Sequence, residues 1–156
     1  MDGPDIKILE ILQIDGRITL ADLAEKVGLS PTATGERLRR LSRDGVVLGY
    51  SARVAPQRVG LNLLVFVEVS LDKTTPEAFE RFAQSVRRTP EVLECHMVAG
   101  GFDYLVKARI PDMAAYRHFL GDVLLSLPGV RETRTYAVIE EVKVAGPLPI
   151  RAVAAG

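Results

Sequence analysis

Residues 18–50 read ITLADLAEKVGLSPTATGERLRRLSRDGVVLGY, and this stretch decides the fold of the N-terminal third. Leu20, Leu23, Ala24 and Val27 recur at i, i+3, i+4 and i+7, the stripe of a helix with one buried face. Thr19 precedes them as an N-cap, with Asp22 three residues later in an approximate capping box. Gly28 suits the left-handed residue that closes such a helix. Ser30 then caps a second helix, and Pro31 fits its first turn because the N–H that proline lacks has no helical partner there. Asp44-Gly45 ends that helix after Arg43. Helix, tight turn and capped helix make a helix-turn-helix, the commonest small device for placing a helix in the major groove of DNA.

The second helix carries the charge expected of a DNA-reading helix. On a 100° wheel centred on Leu38, Thr34, Leu41 and Ser42 fall on the inner face. Ala33, Glu36, Arg40 and Arg43 fall opposite, with Arg37 and Arg39 on the flanks. From Ser30 to Arg43 four arginines stand against one glutamate, a local charge of +3. Residues 1–60 hold nine basic and eight acidic residues, so the positive charge is concentrated on this helix. Phosphate contacts supply most non-specific affinity, and arginine also reads guanine edges. The first residues of a recognition helix meet the bases, which places Pro31, Thr32, Ala33, Glu36 and Arg37 nearest them, with the capping Ser30 also among the DNA-binding residues. Arg39, Arg40 and Arg43 are then set toward backbone phosphates. The competing reading is an ordinary solvated helix face with a charge run.

Upstream, residues 5–14 carry Ile6, Leu9, Ile11 or Leu12, and Ile14 in a helical pattern, with Pro4 near the start and Asp15-Gly16 at the end. Downstream, 46–54 (VVLGYSARV) has strand character and reads as a hinge-strand. From Leu61 the elements alternate: a strand over 61–71, a helix over 76–88, a strand over 92–99, a tight turn at Gly100-Gly101 and a strand over 102–110. A helix over 112–127 capped by Asp112 and a long strand over 130–144 complete the series. The first of these helices has Phe79, Phe82, Ala83 and Val86 on one face; the second turns Ala115, Phe119, Val123 and Leu127 or Leu124 inward. The β-α-β-β-α-β order is that of the ferredoxin-like split unit, a four-stranded antiparallel sheet with both helices on one face. Its other face then has apolar residues and no cover from its own chain, which predicts a partner subunit. The fold class is therefore α+β: a helix-turn-helix (winged-helix-like) domain at 1–45, a hinge at 46–60, a ferredoxin-like domain at 61–145 and a tail at 146–156.

The 156 residues, 47% apolar and 26% charged, are those of a folded chain, with a formal net charge of zero. No apolar run approaches the ~18 residues of a spanning helix. The acidic-apolar start MDGPDIKILEIL does not read as a signal peptide. One cysteine, Cys95, excludes an intramolecular disulfide and fits a reducing cytoplasm. It reads as a half-buried strand residue, sharing a face with Leu93, Met97 and Ala99. His118 and Asp122 stand at i, i+4, but two ligands make no metal site. No phosphate loop, metalloprotease motif or nucleophile elbow is present. The chain is expected to have no catalytic residues, metal or cofactor and not to be an enzyme.

Four strings together resemble one family along essentially the whole chain: DIKILEILQIDGRITLADLAEKVGLSPT, RLRRLSRDGVVLGYSARVAP, GFDYLVKARIPDMAAY and PGVRETRTYAVIEEVK. They are similar to the leucine-responsive/asparagine-synthesis (Lrp/AsnC, feast/famine) regulators. The resemblance implies a DNA-binding domain, a hinge and a ferredoxin-like regulatory domain that pairs into dimers and assembles to octamers. It implies small effectors, usually amino acids, bound between subunits near a Gly-acid-aromatic-Asp turn. That turn is Gly100-Gly101-Phe102-Asp103-Tyr104 here, with Thr133 and Thr135 similar to positions that line the pocket from a neighbouring subunit. Two glycines admit a ligand carboxylate to backbone N–H groups, and Asp103 suits an ammonium; a plain hairpin turn would use the same residues. Where this chain has Gly101 the family often has an acid, so one carboxylate toward an ammonium is missing.

The expected function is a cytoplasmic, sequence-specific transcription regulator on double-stranded DNA, modulated by a small effector. The alternatives are an architectural DNA-wrapping protein with low sequence preference and no effector, and a regulatory enzyme subunit with a vestigial helix-turn-helix.

Overall fold

The computed structural model describes residues 1–151. The chain divides into two compact units. The first joins Met1–Arg53 with the tail from Lys143 onward; the second is Val54–Val142.

In the first unit α1 spans Gly3–Ile14, α2 Leu20–Val27 and α3 Pro31–Arg43. Each start is chemically specified. Asp2 caps α1 in a reciprocal box with Asp5. Thr19 Oγ1 accepts from the Asp22 N–H at 3.1 Å, and Ser30 Oγ from the Ala33 N–H at 3.2 Å. Gly28 closes α2 at φ +84°, a backbone that L side chains adopt at a cost. The core is small: Ile8, Leu9, Leu23 and Leu41, with Ile11, Leu12, Ile18, Val27, Leu38, Val47 and Ile150 packed around them.

The apolar stripes run differently from the periodicity in three places. In α1 the inward row is Asp5, Ile8, Leu9, while Ile14 is exposed. Ile8, not Ile6 or Ile14, is the residue at full burial. Leu20 remains 42% exposed at the first turn of α2. Ser42 is exposed and Gly35 takes an inner place on α3. A Cβ on Gly35 would stand 3.3 Å from Leu20 Cδ2, so the mid-helix glycine matches a close approach of α2 and α3.

The hinge forms no strand. Residues 46–55 are irregular, and Leu48 is 95% exposed. Strand-forming side chains need a ladder partner, and none of the described residues pairs with this segment. The tail, which has no periodic pattern, returns to α1: Leu148 N–H donates to Gln13 Oε1 at 2.6 Å, and Arg151 pairs with Glu10 at 2.6 Å.

In the second unit β1 (Leu63–Leu71), α4 (Pro76–Val86), β2 (Val92–Met97), β3 (Tyr104–Ile110), α5 (Met113–His118) and β4 (Val130–Ala137) follow in order. The strands form one antiparallel sheet ordered β2-β3-β1-β4, the ferredoxin-like arrangement. Val65, Val67, Val69 and Leu71 share a face with Tyr104, Val106 and Ala108 and meet Phe82 and Val86 of α4. The expected long helix is shorter and changes pitch. After α5 it widens to a π turn over Phe119–Val123 and tightens to a 3-10 turn over Leu124–Ser126. The wide turn sets Leu124, five residues on, beside Phe119 in the core in place of Val123. β4 ends at Ala137 rather than 144.

The opposite sheet face is not simply apolar. It holds Phe66 and Leu105, but Tyr136 Oη also donates to Glu68 at 2.9 Å and Lys107 Nζ to Glu94 at 2.8 Å. One end is closed by the chain itself: Arg109, 8% exposed, pairs with Glu141 and donates to the Leu61 carbonyl. The expected bare face thus carries satisfied charges.

Candidate nucleic-acid interface and effector region

The outer face of α3 is a shallow polar hollow lined by Ala33, Glu36, Arg37, Arg39, Arg40 and Arg43. Ser30, Pro31 and Thr32 stand exposed at its N-terminal end. Seven of the nine candidate DNA-contacting residues carry a donor or acceptor side chain; Pro31 and Ala33 do not.

The arginines are not equivalent. Arg37 Nη1 lies 2.8 and 2.7 Å from the two Asp2 carboxylate oxygens and 2.9 Å from Asp5 Oδ1. Arg40 Nη2 donates to both Asp5 oxygens at 2.7 Å. Asp5 itself is 2% exposed. The capping Asp2 and Asp5 of α1 therefore face two arginines of α3 in a neutral, hydrogen-bonded cluster, and charge-assisted bonds of this kind are the strong ones. The Asp5 backbone N–H and then Arg37 hold the Asp2 carboxyl below its ordinary range, while Asp2 and Asp5 push the Arg37 guanidinium up. Arg43 pairs with its neighbour Asp44 at 3.3 Å in a solvent-exposed contact, which contributes little. Arg39 has no carboxylate partner among the described residues. Sequence periodicity misses Asp2 and Asp5 as members of this surface. The signal was present, since Asp5 occupies a stripe with Ile8 and Leu9 where an apolar residue is expected.

In the second unit the seven candidate effector residues do not converge within one chain. Gly100 and Gly101 lie in a six-residue loop over 98–103, closed by Val98 N–H donating to the Asp103 carbonyl at 3.0 Å. This is a wider turn than expected. Neither glycine has a left-handed backbone, and a Cβ on either would meet open space. Phe102 is half-buried beside them. Asp103 Oδ2 accepts from Leu71 N–H at 2.7 Å, and its own N–H donates to the Val69 carbonyl at 3.0 Å. It thereby secures the end of β1, where the β4 register shifts between Ser70 and Leu71. Tyr104 is a core residue, its ring 4.4 Å from that of Phe82, and burial pushes its phenol up. Thr133 pairs with Val69 across β1 from Tyr104, so the two are two strands, about 10 Å, apart. Thr135 Oγ1 bonds the Tyr116 hydroxyl.

Two other sequence readings have their place. Cys95 shares a face with Val92 and Met97, and Leu93 falls at a register break, so their expected alternation is interrupted. Burial pushes the Cys95 thiol to about 11, an unreactive environment. His118 and Asp122 form an exposed pair at 3.3 Å. Among the described residues no group of three or more His, Cys, Asp or Glu is placed to hold a metal, and no helix is long and apolar enough to cross a membrane.

The AsnC-type helix-turn-helix domain matches residues 1–42, and the Lrp/AsnC ligand binding domain matches residues 64–148. Leucine-responsive regulatory proteins of Klebsiella pneumoniae and Escherichia coli K12 are each 51% identical over 151 residues, covering 97% of this chain and 92% of theirs. The crystal structure of a Neisseria meningitidis transcriptional regulator in complex with L-methionine superposes with a TM-score of 0.93 at 42% identity, covering 98% of this chain and 99% of that one. An AsnC family transcriptional regulator of Agrobacterium tumefaciens gives 0.92 at 35%, covering 97% and 99%. With both domains matched and the likeness running almost end to end, the chain belongs to the Lrp/AsnC family of helix-turn-helix, DNA-binding transcriptional regulators.

Proposed function

We propose that the protein acts in the cytoplasm as a sequence-specific operator-binding regulator, a homodimer assembling to an octamer. An amino acid bound between subunits of the C-terminal domain then shifts that assembly. The observation that carries the DNA half is the outward face of α3, capped by Ser30 and bearing Arg39 and Arg43 beside Glu36. Ser30 to Ala33 and Glu36 are assigned to base edges, and Arg39 and Arg43 to phosphates. Arg37 and Arg40 reach DNA only around their aspartate partners. Glu36 repels phosphate but can accept from a cytosine amino group, which makes it a selector of site.

The effector half is supported by the family's ligand binding domain and by the Neisseria relative that holds L-methionine. Gly100 to Tyr104 of one subunit and Thr133 and Thr135 of a neighbour are assigned to that pocket. Residues that lie about two strands apart within a chain are thereby brought together between chains. A ligand of this kind works by binding one assembly better than another.

Fluorescence anisotropy on a duplex from the gene's own upstream region and on a scrambled duplex tests the first half. A preference of about 10³-fold is expected; comparable affinities would favour an architectural DNA-wrapping protein. A thermal-shift screen of the twenty amino acids, with light scattering on any hit, tests the second. No shift with any of them would remove the amino-acid effector.

A further inference from the structure

The ion cluster at the root of α3 bears on how selectively the helix binds, taking as given the reading that α3 touches DNA. Alone, α3 carries a charge of +3. In place, its four arginines stand against Glu36, the adjoining Asp44, the capping Asp2, and Asp5 of α1. We infer that Asp2 and Asp5 are specificity-determining residues: they withhold Arg37 and Arg40 from phosphate and so suppress binding to DNA of arbitrary sequence.

The physical basis is an exchange. A phosphate that recruits Arg37 or Arg40 must draw it from a carboxylate already at 2.7–2.9 Å. Asp5, at 2% exposure, cannot turn to water in compensation. An unpaired buried carboxylate is costly, so the exchange is penalised. Non-specific binding draws on phosphate neutralisation alone and feels the whole penalty. Specific binding adds base contacts from the N-terminal turn of α3, which form with Arg37 and Arg40 still held by their aspartates, so it forgoes the exchange and bears less of the penalty. Selectivity built by weakening the wrong complex is as effective as strengthening the right one.

Asparagine keeps the shape of each aspartate, and at position 2 it keeps the cap. Asp2 is exposed, so Asp2→Asn is expected to melt like the wild type. Binding to random and own-upstream duplexes is measured against salt concentration for wild type, Asp2→Asn, Asp2→Asn/Asp5→Asn and Arg39→Ala. The single and double variants are expected to bind random duplex about tenfold and about a hundredfold tighter, with salt slopes steeper by about one and two. Own-upstream affinity should rise less, so the specificity ratio falls. An unchanged slope in a normally melting Asp2→Asn would overturn the inference. So would weaker binding in the double variant, which would make Asp5 a brace and nothing more, or equal tightening on both duplexes. Arg39→Ala separates this from the reading beneath it. If it flattens the slope by about one while Asp2→Asn does nothing, only the charge restraint fails. If neither changes binding, α3 is not the contacting surface.

Discussion

The DNA-binding unit and the regulatory unit hold themselves together by different means. The regulatory unit has thirteen buried core residues, from Val65 to Leu127, with an aromatic cluster of Phe82, Tyr104 and Phe79 beneath the sheet. Among the described residues the core cluster of the DNA-binding unit has four, Ile8, Leu9, Leu23 and Leu41, and the unit adds an ion cluster around Asp5. A core that small buries little apolar surface, and small folds commonly need extra ties. Here the ties are ionic, and they lie on the surface assigned to DNA. The sheet domain is held mainly by apolar packing, whereas the helical domain draws part of its cohesion from ion pairs on the face assigned to DNA.

The sharpest way to break this contrast is in the sheet domain. Phe82→Ala removes a fully buried ring and should cost about 4 kcal/mol in urea unfolding followed by circular dichroism. A loss below about 1 kcal/mol would mean that the aromatic cluster is dispensable. In the helical unit Asp5→Ala leaves Arg37 and Arg40 without their shared partner. Both guanidiniums retain access to water, so the cost should be about 2 kcal/mol, less than for an ion left fully buried. Phe82→Ala costing less than Asp5→Ala would reverse the comparison. Removing one cap, Ser30→Ala, should cost about 1 kcal/mol and be recovered by Ser30→Asp; a thermal melt of the three proteins decides. Gly35→Ala is expected to do least. Its gain in helix propensity, about 1 kcal/mol, is opposed by the contact with Leu20 Cδ2 at 3.3 Å. Because Leu20 is partly exposed and can move, the net change in unfolding free energy, read by urea denaturation, should stay within about 0.5 kcal/mol.

What was legible in the sequence follows the range of the interaction that fixes each feature. Thr19, Gly28 and Ser30 act on neighbours within a few residues, and α2 and α3 begin and end where those residues predict. The strand order joins segments far apart in the chain, yet it follows from the β-α-β-β-α-β succession of elements, each of which is read from its own local pattern. The Asp5 contacts with Arg37 and Arg40 span more than thirty residues, and nothing in a wheel drawn on α3 alone reveals them. The same holds for Asp103, whose carboxylate is committed to Leu71 N–H across the sheet, and for Tyr104, which reads as a turn residue but faces Phe82. The hinge read as a strand because its side chains have that propensity; a strand also needs a neighbour, and propensity does not supply one.

The returning tail has a consequence for anyone who would exchange modules between relatives. The helical unit is discontinuous in the chain: it takes Met1–Arg53 and then the segment from Lys143, with Ile150 against its core and Leu148 bonded to Gln13. A chimera cut once, in the hinge, would carry one parent's α1 and the other parent's tail. The junction that preserves this head is a pair of cuts, so that α1 and the segment that packs on it are inherited together.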